Sequence, residues 1–416
     1  MMKKLFLLLS FASLFAACNT DIDEPNLPES DKSDITIIAY LLADTSLIPE
    51  DLWTNIAAIY DGLTLMTKQA SVLIYWDGAS QYSLWDYPVV LKYSTDGRGN
   101  VNGQPKLSED ATVEDVVELA EVVKEYSQHL STDKKVMTDV LNDLINMTDT
   151  KRLGLIAGSH GSAWLNKINF SRSFGEDGGA GSGNTITIKD MADVIRTTGR
   201  HFEFLLFDAC NMATIEVYYD FKDIVDYMIG SVLEVPAIGF PYETSLHYLY
   251  DGTIDGYKKV CDEFVKFYDS DVTDGGVSQW GTVSLVDNKQ MGAMADLVKR
   301  EIMEHKELLA TYTPYNLQEY GRGSKKYVSC DMEQFLKDIN GGTLSIDLKS
   351  QLEKTILYKN YVDDCKYNTY AIKGENYCGL GLYIPLESRR AWNETFKTID
   401  WYTAAGWNEV TFSWDF

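Results

Sequence analysis

Two short segments hold the residues best placed to do chemistry. Phe204-Leu205-Leu206-Phe207 is an apolar run of strand length that ends at Asp208-Ala209-Cys210, and Leu153-Gly154-Leu155-Ile156-Ala157-Gly158 is another that ends at Ser159-His160-Gly161. A cysteine thiolate is a nucleophile, and an imidazole can take its proton and later hand one to a leaving amine. Gly161 lets a substrate backbone approach closely. Its peptide N–H and that of Cys210 are the donors expected to receive the oxyanion of an acyl-transfer intermediate. A helix is expected from Met212 to Phe221. Cys210 thus stands at the first turn of that helix, whose unpaired N–H groups and positive end are expected to lower the thiol pKa and favour the thiolate.

The elements that must position this pair read as alternating strands and helices. Ile35 to Ala43 and Ser71 to Asp77 are continuous, partly β-branched apolar runs, the pattern of strands buried on both faces. Helices are expected over Leu52 to Thr67, Thr112 to Leu130, Lys134 to Asn146, Ile188 to Thr197 and Met291 to Leu308. Gly97, Gly99 and Gly103 mark a loop or hairpin, Gly175 to Gly183 a Gly-rich loop, and Gly379 to Pro385 a late strand. The alternation argues for an α/β fold with a mostly parallel central sheet between helical layers. Such sheets place ligands beyond the carboxyl ends of their strands, where both His160 and Cys210 fall. The expected division is a main domain over 34–289 and an α+β subdomain over 290–416 packed on the sheet.

The N-terminus reads as an export signal. Lys3 and Lys4 precede Leu5-Phe6-Leu7-Leu8-Leu9, and the apolar stretch closes on Phe15-Ala16-Ala17-Cys18. A Cys directly after small residues resembles a bacterial lipobox, which implies a signal peptide over 1–17 and a lipid on Cys18. The alternative is an ordinary cleaved signal peptide. Residues 18–33 are acidic and poor in apolar side chains, a tether. Acidic residues following the lipidated Cys resemble the surface-export signals of Bacteroidetes lipoproteins. The implied location is the cell envelope, on the outer membrane, with the lipid as the membrane contact.

The net charge is −25, from 37 basic and 62 acidic side chains, which repels nucleic acid and anionic lipid. Beyond Cys18, the cysteines at 210, 261, 330, 365 and 378 are odd in number and fit no disulfide or zinc pattern. Cys261, Cys330 and Cys378 lie in apolar stretches and read as core residues. His129, His201, His247 and His305 lack metal-ligand spacing and read as surface or packing residues. No phosphate loop, zinc helix or calcium loop is present, so no metal or cofactor is expected.

The segment from Leu153 to Trp164 resembles the histidine box of the clostripain-family cysteine peptidases, and Leu205 to Ala213, with Glu216 beyond, resembles their nucleophile box. The opening strand to Asp44, the stretch from Gly230 to Tyr242 and the Trp401 to Trp407 segment are similar to other parts of the same family. His before Cys at this separation is also the order seen in caspases. The resemblance implies a caspase-like three-layer sandwich, shared with gingipains and legumains, and a Cys210–His160 dyad. It further implies an endopeptidase cutting polypeptides after Arg or Lys, with calcium activation known among relatives; a monomer is expected, although no residue pattern carries that.

Asp208 matches an acid that recognises the basic side chain, although a strand-end carboxylate capping the next helix is an equal reading. Where Arg-specific relatives carry a second acid this chain has Ile238, and Glu234 is the substitute four residues earlier. Relatives often cut themselves between the two boxes, and Arg172, in the loop over 167–183, is the expected site. Two other readings stay open: a caspase-like peptidase of non-basic specificity, and a catalytically silent lipoprotein that binds peptide or glycan.

Overall fold

The structure, a computed structural model, describes residues 32–45, 49–78, 82–165, 174–178, 184–269, 280–322, 326–363, 365 and 371–414. Cys18, the signal segment, Lys167 and Arg172 lie outside the described residues.

An 11-stranded sheet runs through the molecule. Its centre is parallel, in the spatial order Val225–Gly230, Phe202–Asp208, Arg152–Gly158, Ile35–Ala43 and Ala70–Gly78. Antiparallel strands extend it at both sides: Thr282–Asp287 and then Ile356–Tyr361 beyond Val225–Gly230, and Val89–Thr95 beyond Ala70–Gly78. All nine residues of Ile35–Ala43 are buried. Side chains alternate between two cores, as strand geometry requires. Ile38, Tyr40, Leu155, Leu205 and Phe207 enter one, while Ile37, Leu41, Ile156, Phe204 and Leu206 enter the other. The run is apolar throughout because each face meets its own helical layer.

Helices Pro49–Thr64, Tyr242–Leu249 and Ile254–Asp269 cover the second core. Helices Lys134–Asn146, Ile188–Thr197 and Met291–Glu304 cover the first, together with the Trp401 and Trp407 region. The segment over 290–416 contributes both an edge strand to the main sheet and much of this first core. It also builds a small sheet from Glu319–Arg322, Lys326–Asp331 and Gly381–Leu382.

The segment expected as one helix over Thr112 to Leu130 is two elements. A capping box between Thr112 and Asp115 starts a helix that lasts only from Val113 to Glu118. Glu121–Glu125 then pairs as an antiparallel strand with Val89–Thr95. The β-branched pair Val122-Val123 packs better on a pleated edge than in a helix, and the open sheet edge supplies the partner. The late strand is also shorter than expected, at Gly381–Leu382.

Candidate active site

Register brings the two chemical residues together. In the parallel pairing of Phe202–Asp208 with Arg152–Gly158, Asp208 sits opposite Gly158. His160 and Cys210 are therefore each two residues past one rung of the ladder, at the carboxyl edge of the sheet. Ser159 fixes the histidine turn to both neighbouring strands. Its N–H donates to Asp208 O at 3.3 Å and its hydroxyl to Leu42 O at 3.0 Å. Gly161 lies against the nucleophile's own backbone: a Cβ there would stand 2.6 Å from Cys210 O and 3.0 Å from Cys210 N. Any other residue at this position would push the two turns apart.

Cys210 is partly exposed, and its thiol donates to Val235 O at 3.7 Å. The next residue, Asn211, holds φ at +60°, a left-handed backbone that Asn adopts more readily than most. Its N–H donates to Leu233 O and its Nδ2 to Val232 O, both at 2.9 Å. This sharp turn presents Cys210, and it corrects the expected helix. That helix begins only at Ile215, is six residues long and is capped by Thr214, because Asn211 and Ala213 give their N–H groups to Leu233 and Ser231 instead. The helix dipole therefore does not end at the sulfur, and the effect falls off within the first turn.

His160 is 7% exposed. Its Nε2 lies 3.2 Å from Thr45 Oγ1 and 3.8 Å from Glu176 Oε2, and its carbonyl accepts from Gly175 N at 3.0 Å. Neither Thr45 nor Glu176 stands out in the sequence. Thr45 is one of several polar residues after the opening strand. Glu176 sits in what reads as a Gly-rich loop but is the third residue of a short strand, Phe174–Asp177, paired with Asn184–Ile186.

Asp208 is buried at the end of its strand. Its Oδ2 accepts from Tyr242 OH at 2.9 Å and Phe240 N at 3.2 Å. Burial pushes its pKa up to about 6, against the lowering effect of those two donors. The capping role left open by the sequence is excluded, since Thr214 caps the helix. A Cβ at Gly239 would lie 2.5 Å from Asp208 Oδ2, so Gly239 packs directly on the carboxyl, where a side chain would clash. Tyr268 OH holds the same loop by donating to Gly239 O at 2.6 Å. Glu234 is half-buried in this loop, with its carbonyl accepting from Trp280 Nε1 at 3.1 Å; Ala237 and Ile238 are exposed.

Behind the histidine turn, burial and then Asp177 raise Asp77 to a pKa of about 7, and burial raises Asp177 itself to about 6. Ser131 joins them, donating its hydroxyl to Asp77 Oδ2 at 2.5 Å and its N–H to Asp177 Oδ2. Among the described residues no group of three His, Cys, Asp or Glu is arranged to hold a metal ion. No helix among them is long and apolar enough to cross a membrane.

Burial likewise lifts Glu216 and Asp220 to about 7. A carboxyl whose folded pKa lies above its unfolded value contributes stability at low pH and loses it as pH rises through the folded pKa. All five of these carboxyls are raised, so the folded chain binds more protons than the unfolded one between about pH 4 and 7. The melting temperature is expected to be several degrees higher at pH 5 than at pH 8 by scanning calorimetry. A flat or rising profile over that interval would show that these carboxyls are not held protonated.

The clostripain-family (peptidase C11) model matches residues 40–414. A secreted C11 cysteine protease from Bacteroides thetaiotaomicron, in complex with an irreversible peptide inhibitor, is similar in structure with a TM-score of 0.70. Its sequence identity is 21%, over 90% of this chain and 99% of that one. An inactive zymogen C11 protease from Parabacteroides distasonis is similar at a TM-score of 0.69 and 21% identity, over 90% of this chain and 98% of that one. At these identities the likeness is one of fold. No curated protein sequence matches.

Proposed function

The chain belongs to the clostripain family of cysteine peptidases, and on that premise we propose that it is an exported endopeptidase that uses Cys210 and His160 to cut polypeptides after Arg or Lys. The observation that supports this reading is the shared register of two parallel strands, with Gly161 of the histidine turn against the backbone of Cys210.

His160 takes the thiol proton as the sulfur attacks the scissile carbonyl and the S–C bond forms. The oxygen gains the negative charge and is received by the N–H groups of Gly161 and Cys210. The imidazolium then gives its proton to the amine as the C–N bond breaks. A water, deprotonated by His160, hydrolyses the thioester and restores the thiol. Asp208 receives the basic side chain of the substrate, with Glu234 as a second acid at the rim. Cleavage after Arg172 matures the chain, and a lipid on Cys18 anchors it in the envelope.

A peptide library varied at the residue before the cut tests the substrate class. Cleavage confined to Arg and Lys is the expected result. Cleavage after apolar residues instead would assign the pocket to Ile238 and Ala237. No cleavage at all, after trypsin nicking of the 167–183 loop and with calcium added, would favour the silent peptide- or glycan-binding module.

A further inference from the structure

We propose that Glu176 is a positioning residue for His160, fixing the ring and favouring its protonated form. The inference rests on the reading of Cys210 and His160 as nucleophile and base, and adds a third group to it.

Glu176 is completely buried and stands on a strand tied to the histidine itself, through the Gly175 N–H donated to His160 O. Its Oε2 and the Thr45 hydroxyl both approach the same ring nitrogen, Nε2. With Nε2 beside these two groups, the proposed role of Nδ1 is proton exchange with the Cys210 thiol. A carboxylate placed in a fully buried site is costly unless a positive charge lies close to it. The imidazolium supplies that charge when the thiol proton has moved to His160. The buried carboxylate thus favours the thiolate–imidazolium pair over the neutral thiol and imidazole, and more strongly than an exposed one would.

The other acids nearby are held elsewhere. Asp44 accepts from Gly178 N, Asp77 and Asp177 share Ser131, and Asp208 accepts from Phe240 and Tyr242. Glu234 lies on the loop after Val225–Gly230, beside the Val235 carbonyl that accepts from the Cys210 thiol.

The test compares wild type, Glu176→Gln and Glu176→Asp in the full chain. Cys210 alkylation by iodoacetamide is followed against pH by mass spectrometry, and kcat and KM are measured on the best library peptide. In the Gln variant, alkylation at pH 6 is expected to slow about tenfold, and the alkaline limb of kcat/KM to move down by about one pH unit. kcat is expected to fall while KM stays within about twofold, and the Asp variant to recover part of the loss. A Gln variant whose alkylation profile and kcat match wild type overturns the proposal.

Should the Gln variant not fold, wild type carries the test. Its alkaline limb, which titrates His160, is expected to lie above that of a free histidine, and a limb at or below the free value overturns the proposal. Alkylation needs no substrate. A chain that cuts no peptide therefore overturns the peptidase reading through the library and still reports on Glu176.

Discussion

Cys210→Ala is expected to abolish peptide cleavage, with a loss of at least about 10⁴-fold in kcat on the best library substrate. The substitution removes one sulfur from a partly exposed position, together with its long hydrogen bond to Val235 O. The Asn211 turn is held by its own bonds to Val232 and Leu233, so the backbone around residue 210 should survive. Circular dichroism and melting temperature are accordingly expected to stay close to wild type. His160→Ala should cost nearly as much, and the double variant little more than either alone, because nucleophile and base act as one unit. Additive losses, or a Cys210→Ala protein that still cleaves, would place the chemistry elsewhere. Cys261, Cys330 and Cys378 are poor replacements, since all three are buried and burial lifts each thiol well out of the reactive range.

Asp208→Asn is expected to lower kcat/KM on Arg substrates by about 100-fold or more while leaving uncharged substrates nearly unchanged. The side chain keeps its shape, and its oxygen can still accept from Tyr242 and Phe240, so the pocket should stay intact. What is lost is the charge facing a buried guanidinium, and removing one partner of a buried pair costs about 3 kcal/mol at the low end. The pH dependence gives a second readout. Burial raises Asp208 to a pKa of about 6, so binding of a basic residue should strengthen as pH rises through 6 and the carboxyl ionises. The Asn variant should lack that acid limb. If it cleaves Arg substrates as well as wild type does, the recognising acid is not Asp208, and Glu234 is the next to test.

Much of the scaffold could be read before any coordinates. The apolar runs ending at His160 and Cys210 are the strands Arg152–Gly158 and Phe202–Asp208, and their burial on both faces made a covered parallel sheet the natural reading. The local departures share one cause, competition from a distant partner. Val122-Val123 joins the free edge of Val89–Thr95 instead of extending a helix. Asn211 and Ala213 give their backbone N–H groups to Leu233 and Ser231 in the loop after Val225–Gly230, which delays the next helix to Ile215. No local pattern announces such partners, because propensity is a weak prior that tertiary pairing overrides.

The sequence by itself determined that Cys210 and His160 each follow an apolar run of strand length, and the alternation of such runs with helices pointed to the carboxyl edge of a covered sheet. It also put Asp208 two residues before the nucleophile, whereas the loop of Glu234 reaches Cys210 only through the tertiary contact at Val235. Only the tertiary structure decided what stands beside the dyad. Strand register set Gly158 opposite Asp208 and so brought the two turns into contact. The hydrogen bond from Gly175 to His160 carried Glu176 to the imidazole, and Thr45 arrived there from 115 residues away. Side-chain periodicity specifies which face a residue takes, but which side chains meet across strands depends on register and on the loops that link them.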